Sequence, residues 1–400
     1  MRILHLPHGY RPARGGAEDF CLELSEGLAA RGHEVRVVTA DLASPEGLYR
    51  FGIGRSDAVD EVVNGVEIRR IDSGVAYRIG TVVYRRDPYS ASPIAERLRR
   101  PARKRLATAI REEMNTYRPD VVLTLPHLFE NVRAVFEIHR DDPFPLVWVP
   151  LLHEADPNWP FDEVRRWASS ADALIALTAH EADRLVDDYA ADPYRIHVVP
   201  PGVDVPSDPP RALDGPPTVL FLGRIGSSKG IDHLAHAMED VWQAVPETRL
   251  VVAGASTPET AEIEAGLDQH EDEPSDRVVE VHRDVSESEK ERHLRSATVV
   301  VLPSSIESFG IVLLEAWAAA TPVVAFDTPV MRDVVEEGTD GLLVDPGDDA
   351  ALAGAISSLL TDPKRSRSMG LAGFAKVKSR YSWARAAEQV EKIYASIIGT

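Results

Sequence analysis

The sequence predicts an α/β chain built from two doubly wound, parallel-sheet domains, and three observations predict it. Short apolar runs alternate with helical patterns through both halves, as they do when parallel strands are joined by crossover helices. A proline-rich stretch with few apolar residues, 200–217, separates the two series and reads as a hinge. The 400 residues, 44% of them hydrophobic, suffice for two cores and exceed one ordinary open-sheet domain.

The first series opens with a strand at Ile3–Leu6. A helix follows at Ala17–Ala30, where Phe20, Cys21, Leu24 and Leu28 recur at helical spacing. Strands follow at Val35–Thr39, Val66–Ile71, Val121–Leu125, Leu146–Leu152, Ala173–Leu177 and His197–Val199, with helices at Ser92–Tyr117, Asn131–Ile138 and Ala179–Tyr189. Residues 42–64 and 73–91 read as long surface loops. The second series has strands at Thr218–Leu222, Arg249–Ala253, Val278–Val281, Val299–Leu302, Pro322–Ala325 and Gly341–Val344. Its helices read at Ile231–Val245, Glu287–Ser296 and Glu315–Ala320. The amphipathic stretch Ala384–Ile398 either caps the second domain or crosses back to the first, and periodicity alone leaves both open. The expected bounds are 1–200, a linker at 201–217, a second domain at 218–380 and the terminal helix within 381–400.

Composition narrows the function classes. A net charge of −20 disfavours general nucleic-acid binding. The single cysteine, Cys21, forbids an internal disulfide and fits a reducing compartment. Met1-Arg2 leads straight into a strand without a leader pattern, and no apolar stretch reaches the eighteen or so residues of a membrane span, so the expected location is the cytoplasm. Seven lysines against thirty-seven arginines, in so acidic a chain, resemble the proteome of a salt-accumulating halophile. No Asp-x-Asp, Cys/His cluster, Gly-x-Ser-x-Gly elbow or Walker lysine occurs, so a metal-free site is expected and no cofactor is called for.

The residues that carry chemistry sit at expected strand-to-helix turns. Glu307 and Glu315 bracket seven residues, Ser308-Phe309-Gly310-Ile311-Val312-Leu313-Leu314, that change from loop to helix. Glu307 is expected just ahead of a helix start and Glu315 some two turns inside it, a separation of about 12 Å if both were helical. That is the reach of a nucleotide sugar, whose diphosphate would face the N–H groups around Phe309–Val312. Gly223-Arg224-Ile225-Gly226-Ser227-Ser228-Lys229-Gly230 follows the first strand of the second domain, where Arg224 and Lys229 would clamp a diphosphate from two sides. Gly15-Gly16 occupies the equivalent turn of the first domain, and His153-Glu154 follows the run 146–152. Six cations at Arg97, Arg99, Arg100, Arg103, Lys104 and Arg105 form either a solvated face or a docking patch for anionic lipid or a polyprenyl-phosphate acceptor.

Taken together, Gly15-Gly16, His153, the Gly-Arg-x4-Lys-Gly run and the paired glutamates resemble family 4 glycosyltransferases of GT-B fold. Val198-Val199-Pro200-Pro201-Gly202-Val203-Asp204 and Gly341-Leu342-Leu343-Val344-Asp345-Pro346-Gly347-Asp348 extend the resemblance over nearly the whole chain. Pro201 and Ser228 depart from the residues such proteins often carry, asparagine and glutamate, without touching a charge the reading uses. The resemblance implies two Rossmann-like domains facing a central cleft and a retaining, hexosyl-type transferase using a nucleotide-diphosphate sugar, with UDP the commonest carrier. It implies that Arg224 and Lys229 hold the departing diphosphate, Glu307 the donor sugar hydroxyls and Glu315 the ribose. The amides near Gly310–Ile311 would meet phosphate, His153 the region of the sugar's C6, and Gly15-Gly16 the cleft floor. The implied acceptor is a glycan or lipid-linked glycan in cell-surface or glycoprotein glycan synthesis, met at the inner face of the membrane. A nucleotide-sugar epimerase of the same architecture and a non-catalytic nucleotide-sugar-binding subunit are the alternatives.

Overall fold

The computed structural model describes residues 1–11, 15–40, 60–71, 93–126, 129–152, 161–210, 215–268 and 277–399, the side chains of 40, 93–96, 98, 99, 102 and 268 excepted. The chain divides into two compact units, Met1–Pro201 with Trp383–Thr400, and Gly202–Ser382.

The first unit is an eight-stranded sheet in the order β3-β4-β2-β1-β5-β6-β7-β8. The strands are β1 (Arg2–Pro7), β2 (Glu34–Ala40), β3 (Glu61–Val63), β4 (Val66–Ile71), β5 (Val121–Leu125), β6 (Leu146–Trp148), β7 (Ala173–Ala176) and β8 (Ile196–Val198). All neighbours pair in parallel except β3 with β4, a hairpin turned at Asn64-Gly65, both at positive φ. Two sequence expectations are corrected here. The loop placed at 42–64 ends in a strand, and the strand placed at 146–152 stops at Trp148, with Val149 making one further bond to the Thr124 carbonyl of β5. Leu152 is nevertheless held: its N–H, like that of Leu177, donates to the buried Glu181 carboxylate at 2.8 Å. The core beneath the sheet is built around Leu4, Leu6, Val122, Phe136, Trp148 and Trp167.

The terminal helix Trp383–Ile398 belongs to this first unit. It lies against the helix Gly16–Ala30, so close that a Cβ on Gly27 would stand 3.0 Å from Ala387. Arg31 and His33 grip Glu391 across the contact, and Phe20 meets Trp383 edge-on. Beneath them His5, fully buried, bonds Ser25 Oγ at 2.8 Å through Nδ1 and the Tyr394 hydroxyl at 2.9 Å through Nε2. Ser25 spends its own proton on the Cys21 carbonyl, so His5 Nδ1 donates and Nε2 accepts. His5 is thus a neutral tie between strand, first helix and last helix.

The second unit is a six-stranded, wholly parallel sheet in the order β11-β10-β9-β12-β13-β14. Its strands are β9 (Thr218–Leu222), β10 (Arg249–Gly254), β11 (Val278–Arg283), β12 (Val299–Leu302), β13 (Val323–Phe326) and β14 (Gly341–Val344). Counted from β9 this is the 3-2-1-4-5-6 order of doubly wound folds, with its switch point between β9 and β12. Phe221, Leu234, Met238, Trp242, Val301, Phe326 and Leu352 fill the core. Helices at Thr260–Asp268, Pro329–Val334, Asp349–Thr361 and Pro363–Arg380, like Phe161–Ser170 in the first unit, were not among those read from the sequence. Among the described residues no helix is long and apolar enough to cross a membrane.

Burial pushes the imidazoles of His5 and His8 down from the ordinary 6.5 to about 3. An unfolded chain protonates both first as pH falls, so the stability these neutral rings contribute is present above about pH 6.5 and is lost toward pH 3. His5→Asn should therefore flatten the fall of unfolding free energy between pH 6.5 and 5, by up to about 1.4 kcal/mol per pH unit. Denaturant titrations at several pH values test this, and an unchanged slope contradicts the assignment.

Candidate functional site

Two loops leave the carboxyl ends of adjacent strands at the switch point of the second unit. Residues 223–230 follow β9 and 303–310 follow β12, which pairs with β9 through Val299 and Val300. They are locked together by a backbone contact that only glycine allows. Gly230 adopts φ +73°, and a Cβ there would stand 1.7 Å from the carbonyl oxygen of Pro303. Ser304, buried beside this contact, donates to the Ile306 carbonyl at 3.0 Å, with the Ser228 carbonyl 3.4 Å away.

A second close approach braces the same loop from its other side. Gly254 ends β10 at φ +145°, and its missing side chain leaves room for the Gly223 carbonyl 1.8 Å from where a Cβ would be. Ile225 bridges to Ser256, and its carbonyl accepts from Thr257 Oγ1 at 2.6 Å. Ser256 is in turn fixed by both oxygens of Asp284 at the end of β11. The Gly-Arg-x4-Lys-Gly segment is thus a rigid rim held from the ends of β10, β11 and β12.

The helices that begin at this rim start without side-chain caps. Ile231–Ala244 and Ile311–Ala318 are each preceded by a glycine in left-handed conformation, Gly230 at φ 73° and Gly310 at φ 85°, and neither receives a capping side chain. Elsewhere in the unit the rule is the opposite. Ser286, Thr328 and Asp348 close the helices Glu287–Ser296, Pro329–Val334 and Asp349–Thr361 with side-chain acceptors. Leaving amide N–H groups open at two neighbouring helix starts concentrates positive potential at one place.

The expected charged residues fall on this rim, with partners the sequence did not disclose. Lys229 Nζ donates to Glu307 Oε1 at 2.5 Å, both side chains about seven-eighths buried. Residues expected to hold different parts of a ligand are therefore joined to each other. Glu315 is paired with Lys290, a residue absent from the sequence reading, at 2.7 Å, and Lys290 also reaches Glu287 at 2.7 Å. Burial alone would depress the Lys290 amine, but the charges of Glu315 and Glu287 outweigh it and raise its pKa above the ordinary value. Arg224 is exposed and has no ion-pair partner among the described residues. Glu315 sits at the fifth residue of a helix starting at Ile311, just over one turn inside and not two.

Other expected site residues divide. Phe309 is 3% exposed and packs edge-on to Tyr381, so its side chain is core and only its backbone is left for a ligand. Ser308 and Ile311 flank Gly310 half-buried. Gly15 precedes an uncapped helix and Gly16 begins it, and a Cβ on Gly15 would stand 2.5 Å from the Glu18 carboxylate. His8 is buried and stacked on Phe129. His153 and most of the two long loops, 42–64 and 73–91, lie outside the described residues.

The basic run is split by the helix Pro93–Tyr117 that carries it. Arg103 turns inward, 9% exposed, to Glu130 at 2.7 Å and Glu137 at 3.1 Å, which removes it from any docking face. Arg97, Arg100, Lys104 and Arg105 are exposed, and the side chain of Arg99 is not described.

Two family models match the chain side by side, "Glycosyltransferase Family 4" over residues 14–206 and "Glycosyl transferases group 1" over 207–376. The chain is 41% identical over 244 residues to D-inositol 3-phosphate glycosyltransferase of Xylanimonas cellulosilytica, a match covering 57% of each. It therefore spans less than two thirds of that relative's length. The fold is that of sucrose-phosphate synthase from Thermosynechococcus elongatus, with TM-score 0.77 and 21% identity over all of both chains. It is similarly that of HepE from Anabaena in complex with UDP-glucose, with TM-score 0.69 and 15% identity over 99% of this chain and 100% of that one.

Substituting Gly230 tests the lock between the two loops. Gly230→Ala should cost about 3 kcal/mol or more, because both the φ value and the Pro303 carbonyl oppose a methyl group. Gly215→Ala, with open space around it, should be nearly neutral. Equal melting temperatures for the two variants would contradict the packing described.

Proposed function

The chain belongs to glycosyltransferase family 4, and from that premise we propose that it transfers a hexose with retention from a nucleotide-diphosphate sugar, bound at the β9–β12 switch point. The observation that carries this reading is the pair of glycine-led, uncapped helix starts beside Arg224 and the Lys229–Glu307 pair. Two open helix starts and two cations suit a diphosphate, and ligands of doubly wound sheets lie outside the carboxyl ends of strands at the switch point.

In this reading the Lys229 ammonium keeps one hydrogen on Glu307 and offers the others to the diphosphate. Glu307, so anchored, takes the hydroxyls of the sugar next to that phosphate. Arg224, exposed and without an internal partner, adds a fork of donors as negative charge grows on the leaving group. The acceptor hydroxyl attacks the anomeric carbon on the face the diphosphate leaves. The bond from that carbon to the phosphate oxygen breaks, the new glycosidic bond forms, and the acceptor's proton passes to the departing phosphate. Catalysis then rests on positioning and charge stabilisation, with no protein base required.

UDP is the carrier we favour, supported by the fold shared with HepE, whose complex contains UDP-glucose. For the acceptor we favour a glycan or lipid-linked glycan. The likeness to a D-inositol 3-phosphate glycosyltransferase keeps a phosphorylated polyol as the second reading. An epimerase would isomerise the donor alone, and a binding subunit would hold it unchanged.

Arg224→Ala and Lys229→Ala should each lower turnover about a hundred- to thousandfold while the protein stays folded. Nucleotide release from labelled UDP-sugars, measured across a panel of acceptors, tests this, and variants keeping most of their activity would refute the mechanism. We further propose that Arg97, Arg100 and Lys104, exposed along one helix and spaced three and four residues apart, meet anionic headgroups. Reversing all three charges should abolish low-salt cosedimentation with phosphatidylglycerol vesicles, and unchanged sedimentation would refute it.

A further inference from the structure

The Lys290–Glu315–Glu287 triad lies outside the buried apolar core of the second unit, and Lys290 and Glu315 within it are largely buried. Lys290 stands in the first turn of Glu287–Ser296, a helix whose start is fixed by a full capping box between Ser286 and Glu289. From there its ammonium spans to Glu315 on a different helix, with side-chain exposures of 24% and 21%. Glu287, 59% exposed, holds the same ammonium from its own helix. Lys290 is therefore pinned at two points and presents a fixed charge to Glu315.

We propose that Lys290 is a positioning residue for the nucleoside end of the site, resting on the reading that Glu315 accepts the ribose hydroxyls. The ammonium occupies Glu315 Oε1, which sets the carboxylate plane and leaves Oε2 to accept from the ribose diol. The diphosphate, by contrast, would be met by Arg224, Lys229 and the amides at the helix starts, with the Lys290–Glu315 contact just over one turn further into the helix Ile311–Ala318. On this proposal Lys290 with Glu315 at the ribose is separate from Lys229 with Glu307, which meet the diphosphate and the donor sugar.

The test is calorimetric binding to the full chain, using whichever of UDP, GDP and ADP the parent binds most tightly, and inorganic pyrophosphate. Lys290→Met should weaken the nucleoside diphosphate about tenfold and leave pyrophosphate unchanged. Lys290→Arg should restore most of the loss, and the matching 2′,3′-dideoxy diphosphate should bind parent and Lys290→Met alike. Equal weakening of nucleotide and pyrophosphate, a dideoxy analogue as sensitive as the ribonucleotide, or no effect of Lys290→Met would each overturn the proposal. A parent chain that binds none of these compounds overturns the nucleotide-sugar reading itself, and this role with it.

Discussion

The contact between Gly230 and the Pro303 carbonyl is the constraint on which the candidate site depends. It requires a left-handed backbone at Gly230 and space that no side chain leaves. Because it ties the loop after β9 to the loop after β12, it brings Lys229 within 2.5 Å of Glu307, although 77 residues lie between them in sequence. The same glycine leads the helix Ile231–Ala244, so one residue both joins the loops and leaves a helix start without a side-chain cap. Gly254 against Gly223 repeats the device one strand away. Stacked glycine–carbonyl contacts build a rim whose shape is set by backbone.

Arg224 apart, the charges expected at the site are arranged as pairs. A half-buried carboxylate without a cation pays for desolvation, and a neighbouring ammonium offsets it. Lys229 with Glu307 and Lys290 with Glu315 do this while keeping spare hydrogen-bonding capacity on each partner. A deeper pair, Asp340 with Lys376 beneath Trp317, shows the contrasting structural use of an ion pair. There the ammonium also donates to the Val334 carbonyl and lies over the indole ring, so that the pair locks the helix Pro363–Arg380 to the unit.

Much of the fold was legible because the strands are short, apolar and punctuated. The strands of the second unit lie within a residue or two of where their β-branched runs stand, and the switch-point motifs fall at strand ends as expected. The helix Pro363–Arg380 escaped because part of its contact face has no side chains to read. Gly370 lies against the Ala320 carbonyl and Gly373 against Trp317, so burial there follows backbone approach and not hydrophobic spacing. Phe161–Ser170 escaped because only Val164, Trp167 and Ala168 are buried among ten residues. Arg224, Lys229, Glu307 and Glu315 stand where their motifs put them, at strand ends and a helix start, whereas Lys290, in contact with Glu315, had no sequence signal. Its link to Glu315 crosses 25 residues and two helices, and nothing local marks it. Arg103 looked like one more surface cation, but its register on the helix points it inward to Glu130 and Glu137.

The central claim is that the rim of the β9–β12 switch point binds a nucleotide-linked diphosphate through backbone amides and two cations. Amide hydrogen exchange, followed by mass spectrometry with and without a saturating UDP-sugar, tests it most directly. The account predicts slowed exchange concentrated at Ile231–His233 and Ser308–Val312, with the capped helix start at Glu287 far less affected. Binding that protects other segments while leaving both of these unchanged would contradict it.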